Sequence, residues 1–252
     1  TYEENVTVRV KKKGQIGKKS SVGSGTQEGV DKAGRASEIK RQSVLKGIEM
    51  KRDREAAFLS ANPSRAESGS TPRLLGGIQS WIETNTSRGP NGGADGGYNT
   101  VTGIVDAPTA GDARPFTETM GKDVMQSLFD ESGDQSDKVM YLDSFNKRAF
   151  SAFAGISETR TAANSGMATI VGAADVYQSD FGRISTVPVA YGLSGTALII
   201  DHAYAGAASL RGTKRQKLAL TGDNEKYQMI CEDTFVCKNE KAHGLIADLT
   251  TA

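Results

Sequence analysis

The feature that most limits how this chain can fold is the stretch 26–60, TQEGVDKAGRASEIKRQSVLKGIEMKRDREAAFLS. It contains no proline and is rich in helix formers. Ser24 and Gln27 have the spacing of a capping box just ahead of it. Val30, Ala33, Ser37, Val44, Ile48 and Leu59 fall near one face, and Lys51 and Glu55 form an i,i+4 pair of opposite charge. A single helix over the stretch would run roughly 50 Å at about 1.5 Å per residue. Charge surrounds it, so its apolar stripe alone cannot sink it into a deep core. Such a helix lies across a surface or spans between partners. Gly29, Gly34 and Gly47 weaken it locally and admit a second backbone close by.

The flanks have a different texture. Residues 1–25 carry six Lys and Arg against two Glu, a net +4, which leaves −3 for the rest of a chain whose total is +1. Val6, Val8 and Val10 alternate there, so the segment reads as an extended basic ribbon or arm. Residues 60–111 form a loop region around one apolar island, LLGGIQSWIET, which holds Trp81. The glycine-rich SRGPNGGADGGYNT that follows is long for a connection inside a compact domain and predicts a mobile or interface role. Thr117 opens a second helix that Gly133 stops, KVMYL reads as a strand, and Ser144 caps a third helix. Further on, DVYQSDFGRISTVPV reads as two strands about a turn at 180–182, and ALII as a short buried strand. KYQMICEDTFVCKNEKAHGLIADL reads as a long strand, a turn near 239–242 and a return strand. The class is α+β.

Chemistry is sparse. No run of about 18 apolar residues exists to cross a membrane as a helix. Near-zero net charge argues against a dedicated nucleic-acid binder. GQIGKKSS has two residues between its glycines where a phosphate loop needs four. Cys231 and Cys237 share a strand face too far apart to bridge, so they read as free thiols. His202 and His243 sit at strand ends without a nucleophile motif beside them. NGGADGG lacks the ordered acidic ligands of a calcium loop. No catalytic residue, cofactor or metal site is therefore assigned, and function is expected in surfaces that meet other chains.

Long segments carry a resemblance. GTQEGVDKAGRASEIKRQ and GIEMKRDREAAFLS resemble the spine-helix region of tailed-bacteriophage major capsid proteins. STPRLLGGIQSWIETNTSRG, DSFNKRAFSAFAG, VYQSDFGRISTVP and TGDNEKYQMICEDTFVCKNEKAHGLIADL resemble that family's later segments, in order. The resemblance implies the Hong Kong 97-type capsid fold. Residues 1–25 would then be the end of the extended E-loop or arm, and 26–111 the peripheral-domain spine helix with its following loops. Residues 112–200 would be the axial domain, and 201–252 the return into the peripheral domain.

The implied function is a structural major capsid protein that self-assembles into the icosahedral head enclosing the double-stranded DNA of a tailed phage. The partners implied are copies of itself in hexamers and pentamers, a portal, decoration or scaffolding proteins, and packaged DNA held non-specifically; no membrane is implied. Localisation would be the virion, assembled in the bacterial host cytoplasm. An encapsulin-like shell, or a nucleic-acid module using the basic arm, are the alternatives. Family members carry a longer N-terminal portion, so an N-arm and most of the E-loop are expected to be missing ahead of Thr1. Charge pairing between neighbours is expected at Arg35, Glu38, Arg41, Glu49, Arg52 and Glu55, with Lys11, Lys12 and Lys13 of the arm. Trp81 and Tyr98 are candidate anchors of a contact between subunits. Lys11–Lys13 with Asn239 are formally available for an isopeptide cross-link.

Overall fold

The computed structural model describes residues 13–31, 33–34, 37–153 and 176–251. Val6, Val8, Val10, Lys11, Lys12 and Arg35 lie outside them. In chain order the elements are β1 (Gln15–Ser24), α1 (Gly25–Gly29), α2 (Glu38–Leu59), α3 (Ile78–Trp81), β2 (Thr86–Ser87), β3 (Gly97–Asn99) and β4 (Ile104–Asp106). Then follow α4 (Glu118–Ser132), β5 (Lys138–Leu142), α5 (Ser144–Ser151), β6 (Val176–Ser179), β7 (Gly182–Pro188), β8 (Ala197–Ile200), β9 (Ala205–Lys217), β10 (Asn224–Cys237) and β11 (Gly244–Ile246). A 3-10 turn at Glu240–Ala242 joins the last two.

The expected single helix over 26–60 is two helices with a break. Ser24 caps α1 by accepting from the Gln27 amide, but α1 ends at Gly29. Gly34 has φ +83°, a left-handed conformation that no helix interior tolerates. Ser37 then restarts the chain, its Oγ accepting from the Lys40 amide, while the Glu28 carboxylate of α1 accepts from the Ile39 amide. Two of the orphan donors at the start of α2 are thus satisfied, one of them from across the break. The long helix is α2 alone, with 22 residues and about 33 Å of length.

The orientation of α2 also differs from the sequence expectation. Its buried positions are Glu38, Ile39, Ser43 and Met50, whereas Val44 is 65% and Ile48 42% exposed. The stripe read from Val44 and Ile48 faces outward. The inner face is set by what the ribbon beneath offers, which is charge as much as apolar surface.

Two larger sheets organise the molecule. One is antiparallel, in the order β1-β10-β9. The other is mixed, in the order β2-β11-β8-β5-β7-β6, with β5–β7 and β2–β11 parallel. β11 therefore does not return along β10 as expected. It leaves at the 3-10 turn and pairs with β8 and β2 instead. The true partner of β10 besides β1 is β9, whose AGAASLRGTKRQK carries no apolar alternation to announce a strand.

β8 is buried at all four positions because both faces of the mixed sheet are covered. Ala197 and Ile199 face α4 and α5, in a core with Leu128, Met140, Leu142, Phe150 and Ile184. Leu198 and Ile200 face the opposite core, built from Ile78, Trp81, Ile82, Val105, Phe235 and Leu245. Trp81 is 7% exposed, stacks on Tyr98 at 5.9 Å between ring centroids and donates to the Gly76 carbonyl. Both rings belong to this core.

α4 has the expected ends: Thr117 caps it and Gly133, at φ 64°, closes it. α5 is capped by Asp143 rather than Ser144, because the Asp143 carboxylate also accepts from the Gly195 amide and ties α5 to the β7–β8 connection. The glycine-rich stretch 87–100 is packed at Gly89 and Gly97, while 90–92 and 94–95 are exposed. An added Cβ at Gly89, Gly96 or Gly111 would strike backbone carbonyls.

Two Gly→Ala substitutions should move stability in opposite directions. At Gly77 a Cβ would collide with the Ser60 carbonyl, whereas at Gly47, inside α2, it would meet nothing within 4 Å. Gly47→Ala should raise the urea-unfolding free energy of the unassembled subunit by about 0.5–1 kcal/mol. Gly77→Ala should lower it by about 1–3 kcal/mol.

Candidate assembly interface

Two consecutive acids on β10 tie the ribbon to α2 and to the loop before α3. Side chains alternate across a strand, so Glu232 and Asp233 point to opposite faces. Both are buried, at 3% and 4% exposure. Asp233 faces α2, where Arg54 Nε lies 2.9 Å from its Oδ2 as an ion pair and Ser209 Oγ donates to its Oδ1. Glu232 faces the other way, toward Arg73 Nη2 at 2.5 Å and Arg211 Nε at 2.8 Å.

β9 brings these partners into line through two register shifts. Lys214 pairs with Ile230, yet Arg211 pairs with Glu232 and Ser209 with Asp233. An unshifted ladder would set Gly212 opposite Glu232 and Arg211 opposite Asp233. The bulges supply each acid with a donor on its own side.

Further along, Lys19 of β1 reaches Asp53 at 2.6 Å and Glu49 at 3.7 Å. The hydrogen bond it donates to Asp53 is the first cause holding the Lys19 ammonium above its usual range. These pairs fix which face of α2 is inner.

The residues expected at contacts between neighbours fall into groups. Arg35, Lys11 and Lys12 lie outside the described residues. Lys13 sits at the foot of β1, where its carbonyl accepts from Thr234 Oγ1. Glu38 pairs with Arg41 within the helix at 3.2 Å, and Glu49 pairs with Lys46 at 2.9 Å as well as Lys19. Arg52 lies over the Tyr191 ring at 5.2 Å. Arg41, Arg52 and Glu55 share the exposed face with Val44, Leu45 and Ile48. Asn239 is occupied locally, its Oδ1 accepting from the Lys241 amide.

A groove of about 420 Å³ opens beside α2, lined by Phe58, Ile78, Tyr141, Ile200 and Phe235 with Glu55 at its rim. His202 borders it and shares a 2.9 Å hydrogen bond with the Tyr141 hydroxyl. Burial pushes the Tyr141 hydroxyl above its usual range.

His243 lies in a separate buried polar cluster at the ends of β5, β8 and β11. Its Nδ1 accepts from the Asp201 amide, which places the proton on Nε2, and Nε2 finds no aligned acceptor. Burial lowers its pKa to about 4, against the weaker pull of the Tyr204 backbone and the Asp201 carboxylate. On Asp201 burial acts the other way, to raise the pKa. The Ser136 hydroxyl at 2.5 Å, the Ala203 amide and the Lys138 ammonium at 3.7 Å outweigh it and hold the carboxylate below its usual range. The ring is a neutral structural acceptor rather than a general base. No group of three or more metal-ligating side chains occurs among the described residues. No helix among them is long and apolar enough to cross a membrane.

The family model of the SU10 major capsid protein matches residues 1–250. The chain belongs to this family. It is a structural shell protein of the virion, built to assemble with copies of itself, and membership implies a structural role rather than an enzymatic one.

Its fold is the Hong Kong 97-type capsid fold. The satellite phage P4 procapsid superposes with a TM-score of 0.58 at 11% identity, over 95% of this chain and 72% of that one. A mycobacteriophage Bobi structure gives 0.55 at 12% identity over 95% and 73%. The SrpI encapsulin of Synechococcus elongatus gives 0.54 at 9% identity over 94% and 74%. No curated protein sequence matches the chain.

Within this capsid protein the sequence reasoning missed Arg54, Arg73, Arg211, Glu232 and Asp233. Glu232–Asp233, two adjacent acids inside the apolar run QMICEDTFV, were the available signal. Consecutive carboxylates in a covered strand require a cation on each face.

Arg54→Met should cost about 3–5 kcal/mol in urea unfolding of the subunit, because it strands the Asp233 charge. Adding Asp233→Leu should recover most of that loss. For His243 the folded pKa lies below the unfolded 6.5. The unfolded chain therefore binds the extra proton, and stability falls as pH drops from 6.5 toward 4. The contribution is on the order of 3 kcal/mol, and His243→Gln should flatten that part of the pH–stability curve.

Proposed function

We propose that this protein forms the icosahedral head of a tailed phage and encloses its double-stranded DNA. The family match across residues 1–250 is the observation that carries the reading. The distribution of structure agrees with it. The described residues present an extended ribbon braced by a helix with an exposed, partly apolar face. In this reading copies gather as hexamers and pentamers in the host cytoplasm, around a portal and with decoration or scaffolding proteins. Residues 1–25 end the E-loop, 26–111 carry the spine and its loops, 112–200 form the axial domain, and 201–252 return to the peripheral domain. In this division β2 and β11, from the peripheral segments, join the sheet of β5 and β8 from the axial one.

The fold likeness to an encapsulin favours one second reading, a shell without a genome. Electron microscopy of particles formed by the protein, with assay of their nucleic acid, separates the two. Closed icosahedral shells that fill with double-stranded DNA in the presence of the phage packaging machinery are expected. Protein that forms no closed particle under any condition would sink the shell reading. Shells that form but never take up DNA would favour the encapsulin-like one.

A further inference from the structure

The β1-β10-β9 sheet turns one face to α2 and leaves the other open along β1 and β9, with Arg73 covering Glu232 between them. On the open face the register sets Lys18, Ile230 and Lys214 in one row and Ile16, Glu232 and Arg211 in the next. Lys226 lies in the row of Val22 on the same face. Glu232 is already held by Arg73 and Arg211, so the face is basic. It is also partly apolar, with Ile16 43% and Val22 53% exposed. Lys18 and Lys214 are exposed and meet no carboxylate within 4 Å among the described residues. Two inter-strand steps separate them, about 9.6 Å.

The same chain carries a matching stripe of opposite sign. Asp123, Gln126 and Asp130 are exposed on one side of α4 at i, i+3 and i+7, and Asp137 follows beyond the helix. Asp123 and Asp130 stand about 10.5 Å apart along the axis. Neither meets a cation within 4 Å among the described residues. Neighbouring Glu118 and Glu131 are taken by Lys122 and Lys241.

We propose that the open face of the β1-β10-β9 sheet docks on the α4 acidic stripe of a neighbouring copy. Lys18 and Lys214 meet Asp123 and Asp130, and Ile16 and Val22 are covered in the process. This rests on the shell reading. The contact is heterologous, one surface against a different one, and so repeats around a ring of copies. A polyanion such as DNA would also satisfy the cations. The spacing match to the chain's own acids favours a second copy.

The test is shell assembly by purified protein, read by electron microscopy and light scattering, with circular dichroism confirming that each variant is folded. Lys18→Glu/Lys214→Glu and Asp123→Lys/Asp130→Lys should each cut shell yield by about tenfold or more. Combining all four should restore at least half of it. Wild-type assembly through this contact should also weaken as ionic strength rises. Either double variant assembling like wild type overturns the proposal, as does a combined variant no better than its parents. Normal shells from the lysine variant together with lost binding of duplex DNA would assign the face to nucleic acid and also overturn it. If a reversed pair misfolds, Lys18→Gln/Lys214→Gln reads the same contact, and undiminished assembly by it overturns the proposal. In each of these failures the wild-type protein still forms shells, so the shell reading stands apart from the outcome.

Discussion

Two carboxylates that cannot be left alone govern the ribbon half of this molecule. Glu232 and Asp233 are covered by protein on opposite faces of one strand. A covered carboxylate without a cation would cost several kcal/mol. Together they recruit three arginines from different parts of the chain: Arg54 of α2 for Asp233, and Arg73 of the following loop and Arg211 of the edge strand for Glu232. Those three bonds determine which side of α2 faces the ribbon, where the loop before α3 is pinned, and why β9 carries two irregularities in its register.

The other half is organised by β8. Its four buried residues serve two cores at once, so the helices α4 and α5 and the Trp81 cluster share a single sheet between them. Phe235 of the ribbon enters the second core and packs against Phe58 of the spine helix, with ring centroids 6.2 Å apart. Apolar packing thus continues from the mixed sheet to the ribbon, and the ion pairs orient the helix on top of it. What remains outside this framework is surface: the outer face of α2, the open face of the ribbon, and the acidic side of α4. A subunit of a shell needs such surfaces, because much of its burial is completed by copies of itself.

Much of the local structure was legible in the sequence. Ser24, Thr117 and Gly133 announced helix ends because capping depends on residues within one turn of each other. KVMYL, ALII and the pair of strands about 180–182 were readable because their apolar residues are covered by the sheet's own neighbours. The reading of one helix over 26–60 erred at Gly34, where a positive φ is available to glycine and no propensity sum reveals whether it is used. β9 was illegible. Its strand is held by hydrogen bonds to β10 and by partners on β10, and AGAASLRGTKRQK has no apolar rhythm of its own.

By itself the sequence determined the fold class, the family, most helix ends and strand cores, and the lack of any recognisable catalytic motif. Each of these depends on short-range patterning or on long stretches of matching residues. Only the tertiary structure decided which way α2 faces, that β11 joins the mixed sheet rather than the ribbon, and that Arg54, Arg73 and Arg211 are the partners of Glu232 and Asp233. Those choices depend on groups up to well over a hundred residues apart. Their pairing becomes energetically obligatory only after folding has removed water from around the charges.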